Sequence, residues 1–518
     1  NSAVDGAIMT GHLFEGLMRW ENSGATFEGV ETCGQAVLVP GQAVGYDKRV
    51  NADGTVTYTF HLREDARWSD GKLVTAGDFV YSWRRLVDPA TAADYCYVLD
   101  MVQGYWEIYC GKAVPSTLGV SAPDERTLVV ELSYDCPYFL ELCAFPATYP
   151  LRQDTVEADY SPCWTWVGPD SWTWEAGTLL SNGPYRMTEW VFNEHIVMEK
   201  NPNYYNYGQL GPDSITFQLT NDLNATTAAF EKGTLDFMGD VFIEDIPTLL
   251  ASGDLKVVPY VGTYYICYNV EMAPFDDWRV RKAFTLAIDS QYIVNNVTQT
   301  GQRPASGFVP AGTADAEANS DFRAIGGDYW TVPTTQEQYT RNVEEARRLL
   351  TEAGYPNGEG FPVVTYLYNT NDNHRMVGEA LQKQWGEALN VEVKLENQEW
   401  ATFLETRKNG QYQMARNGWI ADYSDPISFL DMWITENGNN DARYSNPEYD
   451  AAILEAKSTA DPARRMAAMH KAEDIIMGQD WALGPIYFYT QKYRLNEDVT
   501  GLYYTPLGYF YFDRCQRK

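Results

Sequence analysis

The chain of 518 residues carries 71 acidic and 39 basic side chains, a net charge of −32 at pH 7. With 45% apolar and 14% aromatic residues it is composed as a globular protein, and this length predicts about three domains whose cores need no metal or disulfide staple. So acidic a surface excludes a phosphate backbone as partner, because nucleic-acid binding runs on basic surface, and no run approaches the ~18 apolar residues of a membrane span. The opening NSAVDGAIMT has no basic n-region, apolar run or small-residue cleavage site. On that ground the chain reads as cytosolic or as an already trimmed exported form.

In chain order, VTYTFHL (56–62) is β-rich and half alternating, which predicts a strand. Thr75 then opens GDFVYSWRRLV with Asp78 three residues on, the acidic counterpart of a capping box, and this predicts a helix. TLVVELS (127–133) reads as a strand, MTEWVFNEHIVMEK (187–200) as a hairpin turning near Asn193, and SITFQLT (214–220) as a strand. Helices follow over 277–289 and 342–355, the second ended by Gly354 and Pro356. VVTYLYN (363–369), a helix from about 374 to 389 and VEVKLEN (391–397) form a β-α-β succession, favouring a parallel crossover. Helices over 447–458 and 461–478 precede IYFYTQKYRL, a late strand. The fold class is therefore α/β with several mixed sheets flanked by helices.

Motifs for chemistry are missing. The histidines His12, His61, His195, His374 and His470 show no metal-ligand spacing, so no metal is expected. Nucleophile elbows, phosphate loops and dinucleotide fingerprints are absent, so no cofactor is expected. A glycoside hydrolase with an aromatic cleft and two carboxylates stays open on composition alone. The cysteines are Cys33, Cys96, Cys110, Cys136, Cys143, Cys163, Cys267 and Cys515. None forms a C-x-x-C pair, and both disulfides and buried thiols remain open for them.

Several long runs in order along the chain carry a resemblance. LFEGLMRW (13–20), YTFHLREDARWSDGKLVTAGDFVYSWRRLVDP (58–89), NGPYRMTEW…VMEKNPNYY (182–205), APFDDWRVRKAFTLAID (273–289), LENQEWATFLETR (395–407) and ARNGWIADYSDPISFL (415–430) look like the oligopeptide-binding proteins of bacterial ABC importers. The resemblance implies a two-lobed flytrap of three domains. Residues 1–20, 175–262 and 490–518 would form a discontinuous domain I, 21–174 domain II of the same lobe, and 263–489 domain III. It implies a monomeric, non-enzymatic receptor that holds short peptides extended between its lobes and delivers them to a membrane permease. Peptides would be held through their backbone by exposed strand edges.

By the same resemblance, Asp422 would pair with the peptide's α-amine, and Gly418 and Ile420 would offer backbone groups. Trp419 and Trp400 would line side-chain pockets, with Tyr95 reaching over from the other lobe. Arg416 and His374 would meet the C-terminal carboxylate. The plainer readings are a helix-capping Asp422, core tryptophans, a first-turn His374 and an ion-paired Arg416. Thr298 stands where close relatives carry a lysine, and Gly262 and Ile420 stand where they pair two cysteines. The relatives' opening strand and L-D-P segment are missing, so the chain reads as truncated, any lipid-bearing cysteine having gone with that start, and its expected location is periplasmic or anchored at the outer face of the membrane. The nearest rival is the same fold binding nickel, haem or an oligosaccharide.

Overall fold

The computed structural model describes residues 4–22, 34–158, 171–173, 176–220, 222–317 and 319–518. Contacts divide the chain into two compact units, one of Asn1–Asp236 with Leu495–Lys518, the other of Phe237–Arg494. The chain thus passes from one unit to the other and back, so the first unit is built from both ends.

In the first unit, strand Val56–Leu62 lies between Ala43–Val50 and Thr127–Leu132, antiparallel to both. Its alternation is read directly: Val56, Tyr58, Phe60 and Leu62 are buried. Helix Ala76–Val87 starts at the expected box, where the Thr75 N–H donates to Asp78 Oδ2 at 2.8 Å. It buries Phe79, Trp83 and Val87, one face at four-residue spacing. Trp83 Nε1 donates to the Thr148 carbonyl at 2.8 Å, so the ring is satisfied as well as buried. The predicted hairpin is Tyr185–Val191 with His195–Lys200, and Asn193 takes the positive φ of 60° that closes its turn. Ser214–Gln218 adds a third strand.

His12 ties the two chain ends together. It is fully buried among Tyr185, Phe217, Tyr511 and Phe512. Its Nδ1 donates to the Ile8 carbonyl at 2.8 Å, and its Nε2 accepts from the Phe512 N–H at 2.9 Å. Only a neutral ring can do both.

The second unit is organised on a seven-stranded sheet. Its order is Phe237–Met238, Leu483–Leu495, Lys256–Tyr268, Met414–Ile420, Val364–Asn369 and Val393–Gln398, with Arg303–Pro304 also paired to 483–495. The β-α-β succession is observed: 364–369 and 393–398 run parallel, joined by helix Asp372–Leu389. Helices Trp278–Leu286, Gln336–Glu352 and Asp372–Leu389 pack on the sheet through Phe284, Leu349, Leu381 and Trp385. Trp385 Nε1 is satisfied by the Phe284 carbonyl at 2.9 Å.

Two helices differ from their expected limits. The helix expected from 342 begins at Gln336, capped by Thr335, whose hydroxyl accepts from the Gln338 N–H. Its first two turns are polar, so the apolar period starts only at Val343. The helix expected over 461–478 is α-helical from Pro462 to Glu473 and widens to a π-helical turn over Asp474–Gln479. Strands 256–268 and 414–420 had no separate prediction, because their buried halves lack alternation. Cys96, Cys110, Cys143 and Cys267 are thiols outside any disulfide, while Cys33 and Cys163 lie outside the described residues. Among the described residues no helix is long and apolar enough to cross a membrane.

Burial depresses the His12 imidazole below its ordinary value. The unfolded chain then takes up the proton first, so this contribution to stability is complete above pH 6.5 and is lost as pH falls toward the depressed value. NMR titration of His12 is expected to give a midpoint below 6.5. His12→Gln should lower the melting temperature at pH 8, a loss of about 2 kcal/mol from two buried hydrogen bonds, and flatten its decline below pH 6.5.

Candidate functional site

Strand Lys256–Tyr268 runs through the sheet between 483–495 and 414–420, and its second half, Gly262–Tyr268, is buried without interruption. Burial on both faces is what a central strand requires. It fixes the neighbouring strand in register, Gly262 opposite Ile420, Tyr264 opposite Gly418 and Ile266 opposite Arg416.

The Ala421 N–H donates to the Val261 carbonyl at 2.9 Å. By the alternation of an antiparallel ladder, odd-numbered residues here turn their polar groups toward 256–268, and Arg416, Gly418 and Ile420 turn theirs to the opposite edge. On that edge the parallel strand 364–369 pairs only with Met414 and Ala415. Among the described residues no strand continues the ladder beyond Ala415. The Arg416 carbonyl accepts a long bond from Arg407 Nη1 (3.5 Å), and the Gly418 N–H donates to Asn417 Oδ1 (2.8 Å). Among the described residues the Gly418 carbonyl and both polar groups of Ile420 have no strand partner on this edge.

Asp422 stands just past the end of this edge. It is buried, and its Oδ2 has no hydrogen-bond partner among the described residues. Burial, with the Asp431 carboxylate adding to it, pushes its carboxyl well above the ordinary range. It caps no helix: the short helix Ile427–Leu430 has Pro426 at its N-cap, and the Ile427 N–H donates to Asp425 Oδ1 at 3.0 Å. Asp431 is itself paired with Lys457 at 2.9 Å. An uncompensated buried carboxylate of this kind is expensive unless a cation arrives.

Arg416 begins the edge with the opposite charge. Its guanidinium donates to Asn369 Oδ1 and the Tyr489 hydroxyl, each at 3.3 Å, and lies 5.3 Å from the Tyr264 ring centroid. All these partners are neutral, and no carboxylate among the described residues pairs with it. His374, in the first turn of helix 372–389, shares a 3.4 Å hydrogen bond with the Tyr264 hydroxyl. Burial first, then the charges of Arg416 and Lys492, depress its imidazole well below the ordinary value. Tyr264 therefore contacts both Arg416 and His374.

The other expected residues are dispersed. Trp419 donates through Nε1 to the Ser428 carbonyl at 2.6 Å. Trp400 opens helix Trp400–Lys408, is 43% exposed and stacks on Phe403, so it is no core residue. Tyr95 belongs to the first unit, where it packs on Tyr97 and Phe145. Thr298 is buried, with its hydroxyl on Gln302 Oε1 at 3.1 Å. Among the described residues no group of His, Cys, Asp and Glu is arranged to hold a metal ion.

Tyr489 was not singled out by sequence, since nothing local distinguishes it within IYFYTQKYRL. A Cβ on Gly418 would land on its hydroxyl, and one on Gly262 would meet its ring, the Ile420 side chain and the Trp419 carbonyl. Gly262 and Gly418 are thus both packed against the one Tyr489 side chain. Gly418→Ala is expected to push Tyr489 off the guanidinium of Arg416. Thermal melting should register a loss of about 1–3 kcal/mol, the usual range for overpacking; unchanged melting would show that the ring moves freely.

The model of the bacterial extracellular solute-binding proteins, family 5 (middle region), matches residues 38–441. The periplasmic oligopeptide-binding protein OppA of Escherichia coli K12 is 37% identical over 484 residues, covering 92% of this chain and 84% of that protein. The dipeptide-binding protein DppE of Bacillus subtilis 168 is 35% identical over 455 residues, covering 88% of this chain and 80% of that protein. Among solved structures, Haemophilus influenzae OppA in complex with RPPGFSPFR is similar with a TM-score of 0.86 at 33% identity, covering 100% of this chain and 95% of that one. The chain accordingly belongs to the bacterial extracellular solute-binding proteins of family 5, and its mixed α/β fold is of the two-lobed class to which they belong.

Proposed function

We propose that this protein is a receptor, not an enzyme, which captures short peptides in extended form and delivers them to the permease of an ABC importer. One observation carries the reading: a strand edge left unpaired from Arg416 to Ile420 that ends at a buried carboxylate oxygen with no partner. An extended peptide can add to such an edge through its backbone, which every sequence shares. Its α-ammonium would then compensate Asp422, and its carboxylate would meet Arg416 and the neutral His374. Trp419 and Trp400 are assigned to side-chain pockets. Tyr95 is assigned as a ligand contact on the family resemblance alone, as are the three-domain partition, the monomeric state, the permease and attachment to the outer face of the membrane. Relatives that bind peptides support the substrate class. A sugar would leave the charge of Asp422 uncompensated, and among the described residues no group of His, Cys, Asp and Glu is arranged to hold a nickel ion.

Mass spectrometry of whatever the protein releases on denaturation tests the substrate. A ladder of short peptides is expected, whereas one non-peptide mass would overturn it. For the anchor, Asp422→Asn should weaken free-amine peptides by ~3–5 kcal/mol, the usual loss when one partner of a buried ion pair is removed. N-acetylated peptides should bind it much as they bind the wild type. Only the ionised carboxylate pairs with an ammonium, so affinity for free-amine peptides should fall, by up to about tenfold per pH unit, below the raised Asp422 value. Calorimetry between pH 5 and 8 measures this, and a flat profile counts against the anchor.

The raised carboxyl also predicts a stability change. The folded state holds this proton longer than the unfolded chain, so stability of the ligand-free protein is lost as pH rises above the unfolded value near ~3.9 toward the raised one. Ligand-free Asp422→Asn is therefore expected to melt above the wild type at pH 8.

A further inference from the structure

The turn after the candidate anchor is held from behind. Arg465, on helix Pro462–Glu473, donates to both oxygens of Asp425 at 2.7 Å, and both side chains are buried. Asp425 receives the Ile427 N–H on its side chain and the Ser428 N–H on its carbonyl (3.1 Å), which closes the turn 425–428. Ser428 at its end is 1% exposed. It makes two contacts back to the ligand strand: its Oγ accepts the Asp422 N–H at 2.8 Å, and its carbonyl accepts Trp419 Nε1 at 2.6 Å. One residue thus fixes both Asp422 and Trp419, two groups whose side chains belong to different parts of the ligand site.

We propose that Ser428 is a positioning residue for peptide N-terminus recognition, its hydroxyl holding the Asp422 backbone so that the carboxylate is aimed before a peptide arrives. The physical need is plain. Asp422 Oδ2 has no hydrogen bond among the described residues to orient it, and ion-pair strength inside a protein depends on geometry. The backbone N–H bond supplies that orientation. Arg465 and Asp425 supply the rigid support, so Ser428 is not carried on a mobile loop. The proposal rests on Asp422 being the amine anchor.

The test is calorimetry of the full chain, stripped of ligand, with trialanine and N-acetyl-trialanine as probes. Ser428→Ala removes the hydroxyl and keeps the carbonyl that holds Trp419. Losing this one hydrogen bond should weaken trialanine by about tenfold and leave the acetylated peptide nearly unchanged, so that the ratio between them shrinks. In the Asp422→Asn background the same change should leave the ratio where it is. A loss equal for both peptides would make Ser428 a structural residue only, and an unchanged ratio would remove it from recognition; either overturns the proposal. Should Ser428→Ala not fold, Ser428→Cys keeps the side-chain shape with a much weaker acceptor, and a reduced ratio is expected there too. If Asp422→Asn alone leaves the ratio of the wild type, the anchor itself is wrong, an outcome distinct from failure of Ser428.

Discussion

A strand buried on both faces must be hydrogen-bonded along both edges, and the placement of the candidate ligand groups follows from that constraint on 256–268. Its second half carries Tyr264, Tyr265, Ile266, Cys267 and Tyr268, all inaccessible to solvent. Those residues can be dry only because 483–495 and 414–420 pair with the strand on either side. Pairing then sets register, and register sets which groups of 414–420 turn inward and which turn to the open edge. Arg416, Gly418 and Ile420 present their backbone because Ala421 is committed to Val261.

Electrostatics on this strand is unbalanced by design of its neighbours. Asp425 is matched by Arg465, Asp431 by Lys457 and Lys492 by Asp240, all within ion-pair distance. Among the described residues Asp422 and Arg416 have no ion-pair partner; they are of opposite sign and lie at opposite ends of the same open edge. On the proposed reading, a ligand with an ammonium at one end and a carboxylate at the other would supply both charges at once. The tyrosines around Arg416 hold it by hydroxyls and a ring face without discharging it. A buried carboxylate left without a hydrogen-bond partner on Oδ2 costs stability at Asp422.

Local structure was legible wherever one turn or one strand decided it. Thr75 with Asp78 marked a helix start, Asn193 a hairpin, and VTYTFHL a half-buried strand, because capping, positive φ and alternation are properties of a few consecutive residues. Helix 336–352 was read six residues short because its first turns face water and carry no apolar period. GTYYICY was harder still. A segment buried on all sides has no alternation to betray its strand character, and only its neighbours make it the centre of a sheet.

Composition, periodicity and the collinear runs by themselves determined the α/β class, the family and the position of Asp422, Arg416 and His374 as residues to watch, since each rests on residue type or on order along the chain. The tertiary structure alone decided why these residues are available. The Ile427 N–H at the start of the next helix goes to Asp425 and not Asp422, a distinction that depends on where the turn 425–428 lies. Tyr489 comes to rest over Gly418 and Gly262 from a strand that follows much later in the chain. Ser428 and Arg465 meet the ligand strand through a turn and a helix whose partners are chosen by packing. Contacts of that kind join residues far apart in sequence, and no pattern of neighbours along the chain encodes them.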